Sequence, residues 1–419
     1  MSLADRLRRK IAWSVIGQVT YIFAQFAILI LLTRFASVED VGRFGLSTAI
    51  IAPTFFFFQF GLRYNIATDS QGSFTLPDFL TLRLVSTLAG LAVIALVAVF
   101  TINDARTLSI LGLFGLAKAV EMQSDLTYGV FEKHGALRWV AESLIMRGVS
   151  STVIFALILA SGGAVTLAFL TYSVTWLIVF LAYDLPRARR LEGRPNRKST
   201  ASDLWRLAWE TAPLGASGLF AHLSASAPRL LLASFVGLEQ LGYYTSIAYV
   251  YQGANMMIQS INHAVIGRLA RYWADGDRAS FWSVMLRVSL AISAVSLVGA
   301  AIAIPLGRPI LGIVFGSDYA EYDTLLVLMI VALAANAPLA VYQIGLMAQR
   351  RFMAQFWNRL TLAILVVVLC LITIPAFGLN GAAIALAIAG IVQMPITAVL
   401  LRRAEAAPAI KRDDRSDDA

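Results

Sequence analysis

Twelve apolar runs, each long enough to cross a bilayer as a helix, follow one another along the chain. A spanning helix needs about 20 largely apolar residues. The predicted spans are residues 11–33, 43–62, 79–100, 107–128, 139–160, 164–184, 207–236, 243–266, 281–304, 322–346, 357–376 and 379–401. The chain is 58% hydrophobic and 14% charged, whereas a soluble globular chain carries about 25% charged residues. The sequence therefore predicts an all-α integral membrane protein with twelve transmembrane helices.

A basic interval at residues 187–198, RARRLEGRPNRK, divides these spans into two sets of six. The sets resemble each other: SVEDVGRF at residues 37–44 and GLEQLGYY at residues 237–244 align without a gap at an offset of 200. Such repeats are typical of transporters whose substrate path lies between two halves. We predict two pseudo-symmetric six-helix bundles. Their boundaries are 1–184 for the first bundle, 185–206 for a basic cytoplasmic linker, 207–401 for the second bundle and 402–419 for a polar cytoplasmic tail.

The distribution of positive charge predicts the orientation. All but seven of the 34 lysines and arginines fall on the side of the N-terminus, a group that includes Arg63, Arg83 and Arg359. Four fall on the other side, and three lie within spans. Because Lys and Arg concentrate on the cytoplasmic side of membrane proteins, both termini are predicted to be cytoplasmic. An even number of spans agrees with this placement.

Composition also excludes several function classes. The single cysteine, Cys370, and three scattered histidines offer no metal site, so no metal or cofactor is predicted. No G-x-x-x-x-G-K-[ST] phosphate loop and no catalytic constellation is found, so the sequence predicts neither an ATP motor nor an enzyme. The net charge of +9 indicates basic loops beside anionic membrane lipid rather than a nucleic-acid partner.

Three cations within spans are candidate ligands for an anionic headgroup: Lys118, Arg147 and Arg229. Charges at membrane depth are expensive and usually face a cavity or a partner. Lys118 shares a helix face with Glu121 and Asp125, which we predict as coupling or tuning groups. Two interpretations remain open: a cavity wall that binds anions, or a structural cluster in which Lys118 pairs with Glu121 and Arg147 pairs with an acid of the fourth span. Arg229 has no acid within a helical turn, so it is an anion ligand or extends toward the outer headgroups.

Three further residues are weaker candidates. Arg63, at the inner end of the second span, either guards a cytoplasmic opening or anchors the helix at the interface. His222 and His263, in the seventh and eighth spans, either relay a proton or are ordinary hydrogen-bonded histidines.

Several segments resemble Wzx-type polysaccharide-repeat flippases, the polysaccharide transport family of the multidrug/oligosaccharidyl-lipid/polysaccharide (MOP) exporter superfamily. The resemblance lies in WSVIGQ at residues 13–18, TRFASVEDVGRFGLSTAI at 33–50, FGLRYNIA at 60–67, PRLLLASFVGLEQLGYYTSIAYV at 228–250 and IPAFGLNGAAIALA at 374–387. Many relatives carry an acid before the arginine of the seventh span, where this chain has Pro228.

The resemblance implies a MOP-like fold and a function. The family moves undecaprenyl-pyrophosphate-linked oligosaccharide from the inner to the outer leaflet of the bacterial inner membrane. Arg147, Arg229, Lys118 and Arg63 would then face the pyrophosphate, and a polysaccharide polymerase and a chain-length regulator are expected partners. Two alternatives stay open: a multidrug antiporter of the same superfamily, whose cavity should be acidic or aromatic, and a lipid-linked peptidoglycan precursor flippase, whose relatives usually carry two further spans.

Overall fold

The computed structural model describes residues 3–69, 74–193, 200–349 and 351–402, and the side chains of residues 3–11, 263 and 352 lie outside this description. Within these ranges the protein is helical and contains no strand. The helices are α1 Leu3–Phe35, α2 Val38–Phe58, α3 Leu62–Thr68, α4 Leu76–Thr101, α5 Ala105–Lys133, α6 Leu137–Ala160, α7 Val165–Val179, α8 Leu185–Glu192, α9 Ala201–Phe235, α10 Leu238–Ala274, α11 Arg278–Val314, α12 Asp323–Ala348 and α13 Phe352–Arg402. A π-helical segment, Phe180–Asp184, joins α7 to α8, and a 3-10 segment, Ser317–Tyr322, precedes α12. The predicted all-α fold class is confirmed.

Polar residues between the apolar runs fix where the helices begin. Ser37 caps α2 by accepting a hydrogen bond from the backbone N–H of Asp40, and Asp104 caps α5 by accepting from Thr107. Short oxygen-bearing side chains at such positions satisfy backbone donors that have no partner inside the helix. Thr107 and Arg43 also bond to the Asp104 carboxylate and hold its pKa well below the usual value. These caps explain why α2 and α5 begin before the predicted spans, which follow hydropathy alone.

Eight helical segments in the described ranges are long and apolar enough to cross a membrane. Helices α5, α9 and α10 are not among the eight, because charged and polar residues interrupt their apolar sequence. Helix α13 counts once, although Gly378, with a φ of 55°, breaks it into two arms. The protein is therefore a multi-pass membrane protein. The count of twelve spans is not confirmed by hydropathy and stays a prediction.

Hydrogen bonds hold the two arms of α13 side by side in opposite directions. Asn358 Oδ1, in the first arm, accepts from Gln393 Nε2 and from Thr397 Oγ1, each at 2.7 Å. Nearer the ends of the arms, Arg351 donates to the carbonyl of Leu400 at 2.6 Å. The arms correspond to the predicted spans 357–376 and 379–401.

The helices divide into a first half, α1 to α8, and a second half, α9 to α13. In the first half α1 packs on α6 and α5 packs on α7; in the second half α12 packs on both α11 and α13. The predicted linker begins as α8, whose Glu192 pairs with Lys133 at 3.2 Å. Residues 194–199 of the linker and 403–419 of the tail lie outside the described ranges. The domain boundaries themselves stay predictions.

The two halves meet at the repeated motif that the sequence analysis identified. A Cβ atom at Gly42 would collide with the carbonyl of Leu238, and a Cβ at Gly242 would collide with the carbonyl of Val38. The contact is reciprocal and keeps the offset of 200 positions, so a pseudo-two-fold axis passes between α2 and α10 here. Glycine permits the two backbones to touch because it has no side chain. We call the end of the bundle at which α1 and α9 begin the basic end. The other end, at which α2 and α10 begin, is called the opposite end.

Further contacts join helices of the two halves toward each end. At the opposite end, the Arg34 guanidinium of α1 donates to the carbonyls of residues 312–314 at the C-terminus of α11. Cations are favourable at this pole of a helix, where backbone carbonyls lack partners. Toward the basic end, Gly215 and Gly218 of α9 lie against the carbonyls of Phe57 and Phe56 in α2.

Candidate functional site

A charged network fills the interior of the first half. Lys118 Nζ lies 2.7 Å from a carboxylate oxygen of Glu121, one turn away on α5. The other oxygen of Glu121 accepts a hydrogen bond from Tyr21 of α1. Gln25 donates to the hydroxyls of Tyr21 at 2.8 Å and of Tyr172, in α7, at 3.0 Å. The predicted Lys118–Glu121 pair is present in the structure. The hydrogen bonds around it connect α5, α1 and α7.

Arg63 pairs with two acids of α5. Its guanidinium lies 2.8 Å from Asp125 and 2.6 Å from Glu132. A turn with positive φ at Phe60 and Gly61 separates α2 from α3 and places Arg63 beside α5. Of the two interpretations of Arg63, neither included these ion pairs, because both acids lie more than 60 residues away in the sequence.

Two arginines of the first half are almost completely enclosed. Arg83 is 0% exposed, and its nearest carboxylate is that of Asp125 at 3.8 Å. Arg147 is 1% exposed and donates to the hydroxyl of Tyr128. The Arg147 guanidinium also lies 4.8 Å from the centre of the Trp176 ring. Such cation–π contacts stabilise a desolvated cation by about 2 kcal/mol.

One of the two open interpretations paired Arg147 with an acid of the fourth span. No ion pair to Arg147 occurs among the described residues, so this part of that interpretation is wrong. Glu121 of α5 acts on it only through longer-range electrostatics, and so does Asp184, a buried residue of the π-helical segment. The reason is geometric: the neighbouring side chain on α5 that reaches Arg147 is Tyr128, a hydroxyl rather than a carboxylate.

Four cations and four carboxylates make up this interior network in the described part of the first half. The cations are Arg63, Arg83, Lys118 and Arg147, and the carboxylates near them are Glu121, Asp125, Glu132 and Asp184. Pairing of this kind compensates for part of the cost of removing charges from water.

Lys118→Gln is expected to destabilise the protein more than the double substitution Lys118→Gln with Glu121→Gln. The single change leaves a half-buried carboxylate without its counter-charge, at a cost of about 1–3 kcal/mol, whereas the double change removes both charges. Thermal unfolding of the purified protein in detergent compares the two. A double variant no more stable than the single one would show that the ion pair is not what Lys118 contributes.

The second half offers a different electrostatic environment. Arg229 is 5% exposed, and its guanidinium lies 5.9 Å from the centre of the Tyr249 ring. No described residue forms an ion pair with it, and its Nε has no hydrogen-bond partner. Residues 211–238, 240–274, 278–317 and 324–402 contain neither Asp nor Glu. The sequence showed no acid within a helical turn of Arg229. The interiors of the other helices of the second half contain none either.

The structure describes the side chain of only one of the two candidate histidines. His222 stacks on Phe56 of α2, with ring centroids 3.4 Å apart and an angle of 12° between the planes. This contact joins the two halves, and no carboxylate pairs with His222 among the described residues. His263 lies in α10, but its side chain is outside the described part of the chain. Proton relay by either residue stays a prediction.

Sequence analysis missed three interior residues. Arg83 and Arg359 were counted with the basic cytoplasmic segments, but Arg83 is enclosed in α4 and Arg359 lies partly buried in α13. Both helices begin before the apolar runs, so charges near the ends of the runs lie inside the bundle. Gln25 was also missed. Its spacing from Tyr21, on one face of an otherwise apolar helix, was the available signal.

A recess opens between the two halves at the basic end. Its volume is about 530 Å³. It is lined by Asn65, Thr68, Asp69, Phe74, Arg206 and Glu210. The first four residues belong to the first half and the last two to α9. The lining of the recess is therefore mostly polar.

Sequence comparison decides the family. Residues 7–273, more than half of the chain, match the family of polysaccharide biosynthesis proteins. The chain belongs to this family. One relative of this polysaccharide biosynthesis protein is the capsular polysaccharide biosynthesis protein CapF of Staphylococcus aureus, which is 22% identical over 387 residues and is matched over 90% of this chain and 95% of its own length.

Solved structures of membrane transporters share this fold. The lipid II flippase MurJ in an inward closed conformation superposes with a TM-score of 0.74 at 13% identity, over 94% of this chain and 87% of that one. A multidrug resistance MATE transporter in an inward-facing conformation gives 0.67 at 11% identity, over 94% of this chain and all of that one. An outward-facing MATE transporter gives 0.59 at 14% identity, over 96% of this chain and 95% of that one. The predicted MOP-like fold is confirmed.

Proposed function

We propose that this protein is a flippase that moves undecaprenyl-pyrophosphate-linked oligosaccharide from the inner to the outer leaflet of the bacterial inner membrane. Membership of the polysaccharide biosynthesis family supports the pathway, and the names of CapF and MurJ support a lipid-linked sugar as substrate. In this proposal the basic end is cytoplasmic, as are both termini. The product would pass to a polysaccharide polymerase and a chain-length regulator.

The observation that carries the proposal is the sign of the charge in the second half. Arg229 is buried without a carboxylate, and none occurs in the helix interiors around it. A cation that is removed from water without a counter-charge is costly unless a cavity or a ligand compensates it. A pyrophosphate would supply that counter-charge during transport.

The same observation weighs against the two alternatives to different degrees. An organic cation would be repelled by Arg229, so a multidrug antiporter is disfavoured even though its fold is shared. A peptidoglycan precursor also carries a pyrophosphate, so the charge does not separate it from other lipid-linked sugars. The family match favours a surface polysaccharide, and a transport role without catalysis accords with both groups of structural relatives.

Bilayer physics explains why such a substrate needs a protein. A charged sugar headgroup cannot cross about 30 Å of hydrocarbon unaided, while the polyprenyl tail remains soluble in lipid. The protein needs only a polar route for the headgroup between its halves. The recess at the basic end lies between the halves, and at the opposite end the Gly42–Gly242 crossing and Arg34 join them.

Arg229→Gln is expected to slow flipping at least tenfold, because the neutral amide keeps a polar side chain but removes the charge. The assay measures transfer of undecaprenyl-pyrophosphate-linked oligosaccharide across proteoliposome membranes, with and without a proton gradient. Arg308→Gln is the matched control, since Arg308 is 72% exposed and pairs with Asp323 at the protein surface. Wild-type protein that leaves the lipid in its original leaflet, or that exchanges organic cations instead, would refute the proposed function.

A further inference from the structure

Arg359 is a second cation of the second half without an acidic partner. It lies on the first arm of α13, where its Nη1 donates to the hydroxyl of Ser217 at 3.2 Å and to the Ser217 carbonyl at 3.3 Å. None of the ion pairs among the described residues includes it. Both of its partners in α9 are neutral, so its charge is positioned but not neutralised.

The two arginines lie at different depths along one helix. Ser217, which holds Arg359, and Arg229 are twelve residues apart on α9, about 18 Å at 1.5 Å per residue. Arg359 lies seven residues from the start of α13 at the basic end, about 10 Å along the helix axis. Arg229 is nearer the opposite end, where α9 finishes at Phe235. A headgroup that enters at the basic end would reach Arg359 first and Arg229 later.

His222 lies on α9 between these two levels, and it also has no carboxylate partner among the described residues. His222 stacks on Phe56 and lies within electrostatic reach of Arg359. The stacked ring therefore contributes packing between the two halves at this level. The α9 surface between the two arginines therefore offers no carboxylate that would repel a passing phosphate.

Two cations of the first half have the contrary arrangement, whereas Arg147 donates to the hydroxyl of Tyr128 and lies within electrostatic reach of Asp184. Lys118 and Arg63 are held by carboxylates at 2.6–2.8 Å. A pyrophosphate could bind them only by displacing Glu121, Asp125 or Glu132, and the displaced carboxylate would then repel it. In the second half no such exchange is needed, because the available charge faces neutral oxygen acceptors and aromatic rings.

We propose that the second half alone binds the pyrophosphate, at two successive levels formed by Arg359 with Ser217 and then by Arg229. This inference rests on the proposed function and adds to it the identity of the first anion contact and the half that provides it. Charge-assisted hydrogen bonds to phosphate oxygens are stronger than neutral ones. Two separated levels let the headgroup leave one arginine as it reaches the next, so neither level needs to hold it irreversibly.

The test compares binding and flipping in purified variants. Undecaprenyl pyrophosphate and inorganic pyrophosphate are titrated against the wild-type protein, Arg359→Gln, Arg359→Lys and Arg287→Gln. Arg287 is the matched control, because it also bonds to a serine, Ser283, yet it is exposed on α11. A Kd for undecaprenyl pyrophosphate at least tenfold higher in Arg359→Gln is expected, since hydrogen bonds to charged groups contribute more to binding than neutral ones. Arg359→Lys should retain most of the affinity and Arg287→Gln all of it.

Flipping rates separate the two levels and the two proposals. Arg359→Gln should raise the lipid concentration needed for half-maximal flipping, whereas Arg229→Gln should lower the maximal rate. Weak binding of inorganic pyrophosphate beside tight binding of the lipid would identify the headgroup in its lipid context as the ligand. Wild-type flipping that Arg359→Gln leaves unchanged would overturn this inference and leave the proposed function standing. A wild-type protein that neither binds nor flips the lipid would overturn both.

Discussion

Arg147→Met is expected to lower the free energy of unfolding by roughly 3–5 kcal/mol, the usual cost of removing one partner from a buried charged network. Arg147 is 1% exposed, donates to Tyr128 and lies against the Trp176 ring. Its loss leaves Asp184, which is 0% exposed, without the positive charge that acts on it most strongly. Unfolding of the purified protein in detergent, followed by tryptophan fluorescence, measures the change.

Two further variants serve as comparisons for Arg147→Met. Arg147→Met combined with Asp184→Asn removes both charges and should recover much of the lost stability. Arg138→Gln, on the same helix, removes a 67% exposed arginine that pairs with Glu142, and exposed pairs contribute only about 0–1 kcal/mol. If Arg147→Met instead unfolded like the wild type and lost affinity for undecaprenyl pyrophosphate, Arg147 would be a headgroup ligand, as the family resemblance implies.

The helical architecture was largely predictable because hydropathy and capping act locally. The apolar runs follow from composition within a window of about 20 residues, and caps such as Ser37 and Asp104 lie beside the helices they start. A hydropathy window does not recognise a membrane-spanning helix whose interior carries charged residues. Helix α5 carries Lys118, Glu121 and Asp125 in its interior, and it is not among the eight segments that pass by composition.

The candidate site was predictable only where partners share a helix. The spacing of Lys118 and Glu121 predicted their ion pair, and the structure has it. The partners of Arg63 lie 62 and 69 residues away, and Tyr128 reaches Arg147 from another helix. Such contacts depend on how helices pack, which spacing along one chain does not encode. Which of these residues bind substrate stays a prediction.

Repeat similarity predicted two related halves but not where they touch. The alignment of residues 37–44 with 237–244 marks Gly42 and Gly242 as equivalent. Only the structure shows that each glycine faces the partner helix's carbonyl, at Leu238 and Val38. A glycine required for a close approach of backbones looks the same in sequence as a glycine in an open stretch. The crossing therefore gives the repeated motif a structural role that alignment alone leaves undefined.

Gly42→Ala is expected to push α2 away from α10 and to favour conformations in which the opposite end is open. The added Cβ would meet the backbone carbonyl of Leu238, which can move only with its helix. Overpacking of this kind costs about 1–3 kcal/mol, and a bias of that size shifts a two-state equilibrium by roughly 5- to 150-fold. Alternating access needs the opposite end to close in each cycle. The flipping rate should therefore fall in proportion to the population in which this end is closed.

Distances across the opposite end measure this shift. Spin labels at Phe35→Cys and Ile313→Cys, both exposed positions beside the Arg34 contact, report the separation of α1 and α11 in a Cys370→Ala background. Gly42→Ala should move the distance distribution to longer values, and Gly242→Ala should do the same because the crossing is reciprocal. Gly253→Ala is the control on α10, where an added Cβ has no neighbour within 4 Å. Unchanged distances in both crossing variants, with normal flipping, would mean that the glycine contact does not close the opposite end.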